Sequence, residues 1–268
     1  MLHRDPRDHW NIWTRWPQDP DPRPPILETT ALWQEPQAAL AHPEQLEYHR
    51  NMIEVRISPD SLPPWGAVLG AALAALVTRS VAMGVLSGNP VTRLDAAVVK
   101  RLATALQRHG IGSNAGVLLA PLVAEPAPVI DPATQRRLEE GLDRLNEALE
   151  ASATPSAEWP SMREVFGDEA LVDLLGVGAS SLRRYASGER ATPDDVAARL
   201  HWLAMVVADL AGAYNNFGIR RWFERPRSQL DGKSPRQMLG AAWSPDDPAA
   251  ARVRALASVL SGAQPLAA

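Results

Sequence analysis

Four residues carry the clearest chemical signal in this chain: Ser180, Ser181, Arg183 and Arg184, within Asp168–Arg190, DEALVDLLGVGASSLRRYASGER. Hydroxyls and guanidinium groups bond phosphate oxygens, and arginine also reaches the O6/N7 edge of guanine in the major groove. Such side chains act together only if a helix presents them on one face. The flanking residues supply that helix and a partner for it. Leu171, Leu174 and Leu175 share one face of a first helix by their three- and four-residue spacing. Gly176 follows, where a left-handed turn needs a residue without a Cβ. Val177 and Leu182 then fall beneath a second helix, with the serines and arginines outward. This is the layout of a helix-turn-helix, whose second helix enters the DNA major groove. An ordinary packed αα-corner has the same spacing and is the plain alternative.

Other chemistry is sparse. The six histidines form no pair at helical metal spacing, and neither HExxH nor CxxC occurs. His3-Arg4-Asp5 matches a kinase catalytic loop in three letters, without the glycine-rich loop or DFG that would accompany it. No G-x-S-x-G is present. His201 stands beside Trp202 on an apolar helix and reads as a packing or surface residue rather than a base. The expectation is a protein that is not an enzyme and needs no cofactor and no metal.

The absence of cysteine excludes disulfides and thiolate sites and fits a cytoplasmic protein. Formal net charge is −4, which argues against indiscriminate coating of nucleic acid. The charge is unevenly spread. From Ser161 onward there are 13 basic and 12 acidic residues, leaving the acidic surplus to the front of the chain. Basic residues of the balanced rear half cluster at Arg183–Arg184 and Arg220–Arg227, where a local patch could serve phosphate contacts. No secretory signal is visible, and the apolar run Ala67–Val77 is too short for a bilayer helix, so no membrane is expected.

Periodicity and breakers divide the chain. Residues 1–63, rich in proline and tryptophan (Trp10, Trp13, Trp16, Trp33), read as an extended arm, and Met52–Ser58 alternates as the one plausible strand. Residues 64–150 read as a helical domain of unknown role, with helices over Ala67–Leu86, Arg93–His109 and Pro132–Leu149. Asp131 caps the last of these, and its stripe Leu138, Leu142, Leu145, Leu149 suits a bundle wall or a dimer seam. GIGSNAG at 110–116 matches no phosphate-binding fingerprint and reads as a connection. Ala151–Pro160 is the linker candidate. Residues 161–214 then hold the helix-turn-helix and a long apolar helix from Thr192 to Tyr214, with Thr192 placed to cap it. Residues 215–268 hold three shorter helices, at Ile219–Glu224, Pro235–Ala241 and from Pro248 to about Leu260. The fold class expected is mainly α, in two helical bodies.

The last segment runs GIRRWFERPRSQLDGKSPRQMLG from Gly218 to Gly240. Trp222, Phe223, Pro226, Leu230, Gly232, Pro235 and Leu239 give it an aromatic pair, a proline, then leucine, glycine, proline and leucine. In this it resembles the toxin-binding domain of Xre/MbcA/ParS-like antitoxins, which also carry a helix-turn-helix-like element just upstream. The resemblance covers about Met162 to the C-terminus. It departs from the family at Pro226-Arg227, where Pro-Asn is common, and at Val172, where such units place alanine. Residues 1–150 have no counterpart.

The resemblance implies an antitoxin of a type II toxin–antitoxin system. It would neutralise a RES-type, NAD-consuming toxin and repress its own operon through the helix-turn-helix. Arg220, Arg221, Trp222, Arg225 and Arg227 are the expected partner contacts, and the Pro265–Ala268 tail a candidate plug. Expected partners are the cognate toxin, operator DNA and a second copy of the chain as a homodimer. A stand-alone helix-turn-helix regulator, and an adaptor that has lost DNA binding, are the alternatives.

Overall fold

A computed structural model describes residues 67–124 and 131–261. The expected arm at 1–63, the strand at Met52–Ser58 and the Pro265–Ala268 tail lie outside the described residues. Within them the protein is mainly helical, as expected: ten α-helices joined by turns and short 3₁₀ segments, and no strand. In chain order these are α1 Ala67–Ala82, α2 Ala96–Arg108, α3 Ala115–Leu119, α4 Pro132–Glu150 and α5 Pro155–Leu175. Then come α6 Ala179–Ala186, α7 Asp194–Ala211, α8 Asn216–Glu224, α9 Pro235–Leu239 and α10 Pro248–Ser258.

The centre of the fold is α7. Every residue from Trp202 to Leu210 is buried, so the second half of this helix is enclosed on all sides, as an apolar stretch requires. It packs against α1, α5, α8 and α10. On the outer side of α1, α4 lays down its leucine stripe; Leu138, Leu142, Leu145 and Leu149 are all buried. Asp131 caps α4 by accepting from the Ala133 and Thr134 amides at 2.9 and 3.0 Å. Residues 110–114 form the connection between α2 and α3.

The two expected bodies are one. Leu69, Leu73, Leu76 and Val77 of α1 share a single core with Leu203, Val206 and Leu210 of α7. The linker expected at Ala151–Pro160 is mostly helix: α5 begins at Pro155, and Glu158 and Trp159 are buried. Proline is tolerated in the first turn of a helix, so Thr154-Pro155 starts one rather than ending order. The end of α1 presses directly on this segment. Ser161 Oγ donates to the Ala82 carbonyl at 2.6 Å, and a Cβ at Gly84 would lie 2.3 Å from the Ala157 oxygen. Glycine at 84, with φ of 76°, is what permits the approach.

Thr192 is a second correction. The residue before α7 is Pro193, with no side-chain cap; the Thr192 hydroxyl instead accepts from the Trp159 indole at 3.0 Å. Among the described residues no single helix is long and apolar enough to cross a membrane.

Candidate nucleic-acid and partner interface

Gly167, at φ 76° and ψ 163°, breaks α5 into helices 155–166 and 168–175. The second of these is the first helix of the expected helix-turn-helix. Leu171, Leu174 and Leu175 are buried on its inner face. Gly176 ends it in the left-handed conformation (φ 65°, ψ 35°), its amide donating to the Val172 carbonyl. A Cβ here would also lie 2.4 Å from the Ala241 oxygen, so glycine is required twice over.

The second helix, α6, is short and strongly two-faced. Leu182 and Tyr185 point inward, while Ser180, Arg183 and Arg184 are exposed and Ser181 is half-buried. Tyr185 stacks on Trp159 at 6.3 Å between ring centroids, and Arg190 lies over its ring at 5.6 Å. Sequence reasoning misses these two aromatic anchors, although Leu182 and Tyr185 at i and i+3 signal a shared face. No side chain caps the start of α6 at Gly178, leaving the first-turn amides of a helix N-terminus free to meet an anion. One charge opposes the cationic face. Asp168 accepts from Arg163 Nε and Nη2 at 2.6 and 2.9 Å, which holds its carboxyl below the usual range, and it also interacts electrostatically with Arg183.

The second candidate surface is carried by α8 and the turn after it. Asn215 caps α8 through the Gly218 amide at 2.9 Å. The five residues expected to contact a partner occupy different environments. Trp222 is 1% exposed; its side chain belongs to the core and presents no surface, which corrects its assignment as a contact. It sits edge-on to Phe223 at 5.2 Å, and Phe223 in turn meets Phe166 at 5.1 Å. Arg220 donates to the Val165 carbonyl at 2.6 Å, tying α8 to α5 with one of its five donors. Arg221 lies 5.7 Å over the exposed ring of Phe217. Arg225 is exposed, and Arg227 is half-buried with its guanidinium 4.7 Å over the Trp222 ring.

The turn beyond is as expected from Leu230-Asp231-Gly232-Lys233. Asp231 and Gly232 both take positive φ (56° and 76°), and the Lys233 amide returns to the Leu230 carbonyl at 3.0 Å. Ser234 and Gln237 then close a capping box at the start of α9. Leu230, Pro235 and Leu239 are buried, so the motif residues behind the family resemblance mostly hold the fold. Arg236 bonds both Glu224 and Asp173, and the Trp243 indole donates to the Leu174 carbonyl at 2.7 Å, which fastens this segment to the helix-turn-helix.

A third cluster has no counterpart in the sequence pattern. His201 of α7, expected to be a packing or surface residue, has Nδ1 2.6 Å from Glu158 Oε1 and Nε2 3.0 Å from the Glu150 carbonyl. Glu158 is fully buried and also accepts from the Thr154 amide and hydroxyl. Burial disfavours the imidazolium, but the Glu158 carboxylate and the Glu150 carbonyl outweigh it and raise the His201 pKa above its ordinary value. Nearby, Arg79 pairs with Glu150 and, at 3.4 Å, with buried Asp209; Arg254 reaches Glu150 at 3.3 Å. Burial pushes the Asp209 carboxyl up, against the pull of Arg79 and Arg254. Among the described residues no group of three acidic or histidine side chains is placed to hold a metal ion.

Comparison with protein-family models, with curated proteins and with solved structures finds no match to this chain.

Proposed function

We propose that this chain is an antitoxin that binds operator DNA through α6 and a RES-type toxin through the α8 segment. The observation that carries the DNA-binding half is the sidedness of α6. Behind a left-handed glycine turn, Leu182 and Tyr185 are buried while Ser180, Arg183 and Arg184 face solvent. Among the described residues neither guanidinium is held in an ion pair, so both are available on the open face of the helix. The toxin-binding half rests on the resemblance of Trp222–Leu239 to the antitoxin domain and on the arginines that segment carries.

Fluorescence anisotropy with the duplex upstream of the coding sequence tests the first half. Arg183→Ala/Arg184→Ala should weaken binding by about tenfold or more, since each guanine contact contributes roughly 1–3 kcal/mol. The slope of log K against log salt should fall by about 0.9 for whichever of the two neutralises a phosphate instead of reading a base. Unchanged affinity and slope in a folded double variant would remove α6 as the reading helix.

The burial of Trp222, Leu230 and Leu239 favours a second reading, a stand-alone regulator in which the family-like motif is core packing alone. Co-expression with a RES toxin encoded beside the gene separates the two. Rescue of growth supports the antitoxin; sequence-specific DNA binding with no rescue supports the regulator.

A further inference from the structure

The turn after α8 gathers hydrogen-bond donors without acceptors. Trp222 is 1% exposed, yet among the described residues its indole N–H has no hydrogen-bond partner, and the Nε–H of half-buried Arg227 has none either. Both belong to one cluster, since the Arg227 guanidinium lies 4.7 Å over the Trp222 ring. Burial weighs against the Arg227 charge, and the repulsion of nearby Arg225 adds to it. Among the described residues no carboxylate pairs with either arginine, whereas the other half-buried arginines of the same half, Arg199, Arg236 and Arg254, each have one. A buried donor left unpaired costs free energy, and like charges add to it. An anion against the outer edges of the two guanidinium groups would answer the cost of the unpaired charge, and the Trp222 ring beneath would sense it.

The backbone already holds the cluster in position. The Arg227 amide donates to the Lys233 carbonyl, and the Arg227 carbonyl accepts from the Leu230 and Gly232 amides, all at 3.0 Å. A guanidinium fixed in this way loses little freedom on binding. The surface of this segment identifies the kind of partner. Tyr214, whose phenol interacts electrostatically with Arg227, and Phe217 beneath Arg221 are exposed aromatic residues. Aromatic rings mixed with arginine are the composition of a protein interface core. Contacts to a phosphate backbone draw instead on exposed lysine, arginine and hydroxyl groups such as those of α6.

We propose that Arg225 and Arg227 form a receptor for an acidic side chain of a protein partner, with Tyr214 beside it and the buried Trp222 ring beneath Arg227 as its floor. This rests on the reading of residues 215–268 as the partner-binding segment and gives that contact its chemistry. Carboxylate against guanidinium is a charge-assisted pairing, stronger than a neutral hydrogen bond.

The test uses the ¹⁵N-labelled full chain, with the Trp222 indole resonance assigned through Trp222→Phe. The probe is acetyl-hexaglutamate amide, titrated at low salt beside hexaglutamine and inorganic phosphate. The Trp222 indole signal should move to saturation with hexaglutamate alone. Arg225→Ala and Arg227→Ala should each weaken that titration about tenfold or more while the circular dichroism stays helical. An indole signal that stays still, or that follows hexaglutamine or phosphate equally, overturns the proposal. Neutralisation of a RES toxin by the same variants is scored separately. A silent indole in a chain that still neutralises removes this receptor and leaves the antitoxin reading standing. A responsive indole in a chain that neutralises nothing keeps the receptor and removes the antitoxin.

Discussion

At the junction of α1, α4, α5, α7 and α10 the fold encloses charges of opposite sign, whereas beneath α8 it encloses N–H donors beside two like charges. In the first place Arg79 meets Glu150 and Asp209, Arg254 meets Glu150, and His201 lies between Glu158 and the Glu150 carbonyl. In the second, Trp222 and Arg227 point donors at no acceptor among the described residues, and Arg225 adds a second positive charge. The difference separates polar groups that complete one another within the fold from groups that need something outside it. A junction of the first kind staples elements together, and its loss is felt as stability. A cluster of the second kind costs the folded chain free energy and is felt as binding.

One substitution made in both places breaks or confirms this contrast. Arg79→Met keeps the length of an apolar stem and removes the charge, leaving Asp209, 3% exposed, with Arg254 at 4.0 Å as its nearest cation. Stranding one partner of a buried pair costs about 3–5 kcal/mol. The open side of Glu150 and the remaining Arg254 place Arg79→Met near the lower end, about 3 kcal/mol, read as a fall in the urea midpoint at unchanged slope. A loss below about 0.5 kcal/mol would mean that the junction is no staple and would erase the distinction.

The junction also makes stability depend on pH. His201 is raised because both ring nitrogens face oxygen acceptors, so both hydrogen bonds are donated at once by the imidazolium. A group whose folded pKa lies above its unfolded value stabilises fully below the unfolded value, about 6.5 for histidine, and loses that contribution as pH rises through the folded value. The groups facing it are Glu158, the Glu150 carbonyl and Arg254. The urea midpoint should therefore decline from pH 6 toward pH 9, and His201→Leu should flatten that decline. Asp209 is displaced upward as well, from the carboxylate range, and its contribution persists in His201→Leu, so the two can be told apart. A midpoint that rises over this window in the parent chain would contradict the assignment.

The helices are legible in the sequence because their causes are local. Period, a capping aspartate at 131, a glycine at 176 and Ser234-Pro235 each act within one turn, and each does what its spacing implies. The segment expected as a linker is helical because Thr154-Pro155 is a helix start as much as a break; Trp159, four residues on, is the sign that the segment is buried. The junction is not legible at all. Glu158 and His201 are 43 residues apart and Arg79 and Asp209 are 130 apart, so only tertiary packing brings them together. At the candidate surfaces the residue types are visible in the sequence but their burial is not. Trp222, beside arginines on a short helix, suits either an interface or the core, and Arg220 suits either a contact or the brace to Val165 that it forms.

The matching substitution at the second place should have the smallest effect. Arg227→Met removes a half-buried guanidinium that has no ion pair among the described residues and leaves an apolar stem of similar length over the Trp222 ring. Two contributions oppose each other. The stacked cation is worth about 0.5–1 kcal/mol at an exposed site, and that is forfeited. The desolvation of Arg227 and its repulsion by Arg225 are relieved, and replacing buried charge with apolar volume is often neutral or stabilising. The two nearly cancel, so the urea midpoint should stay within about 0.5 kcal/mol of the parent, as for a surface change that touches no structural feature. The same variant should lose the hexaglutamate response. If Arg227→Met instead destabilises the chain as much as Arg79→Met does, then Arg227 is held in place as a structural residue and the two regions are alike after all. A small stability change together with an abolished response would show that the fold carries this charge at its own expense, for a partner.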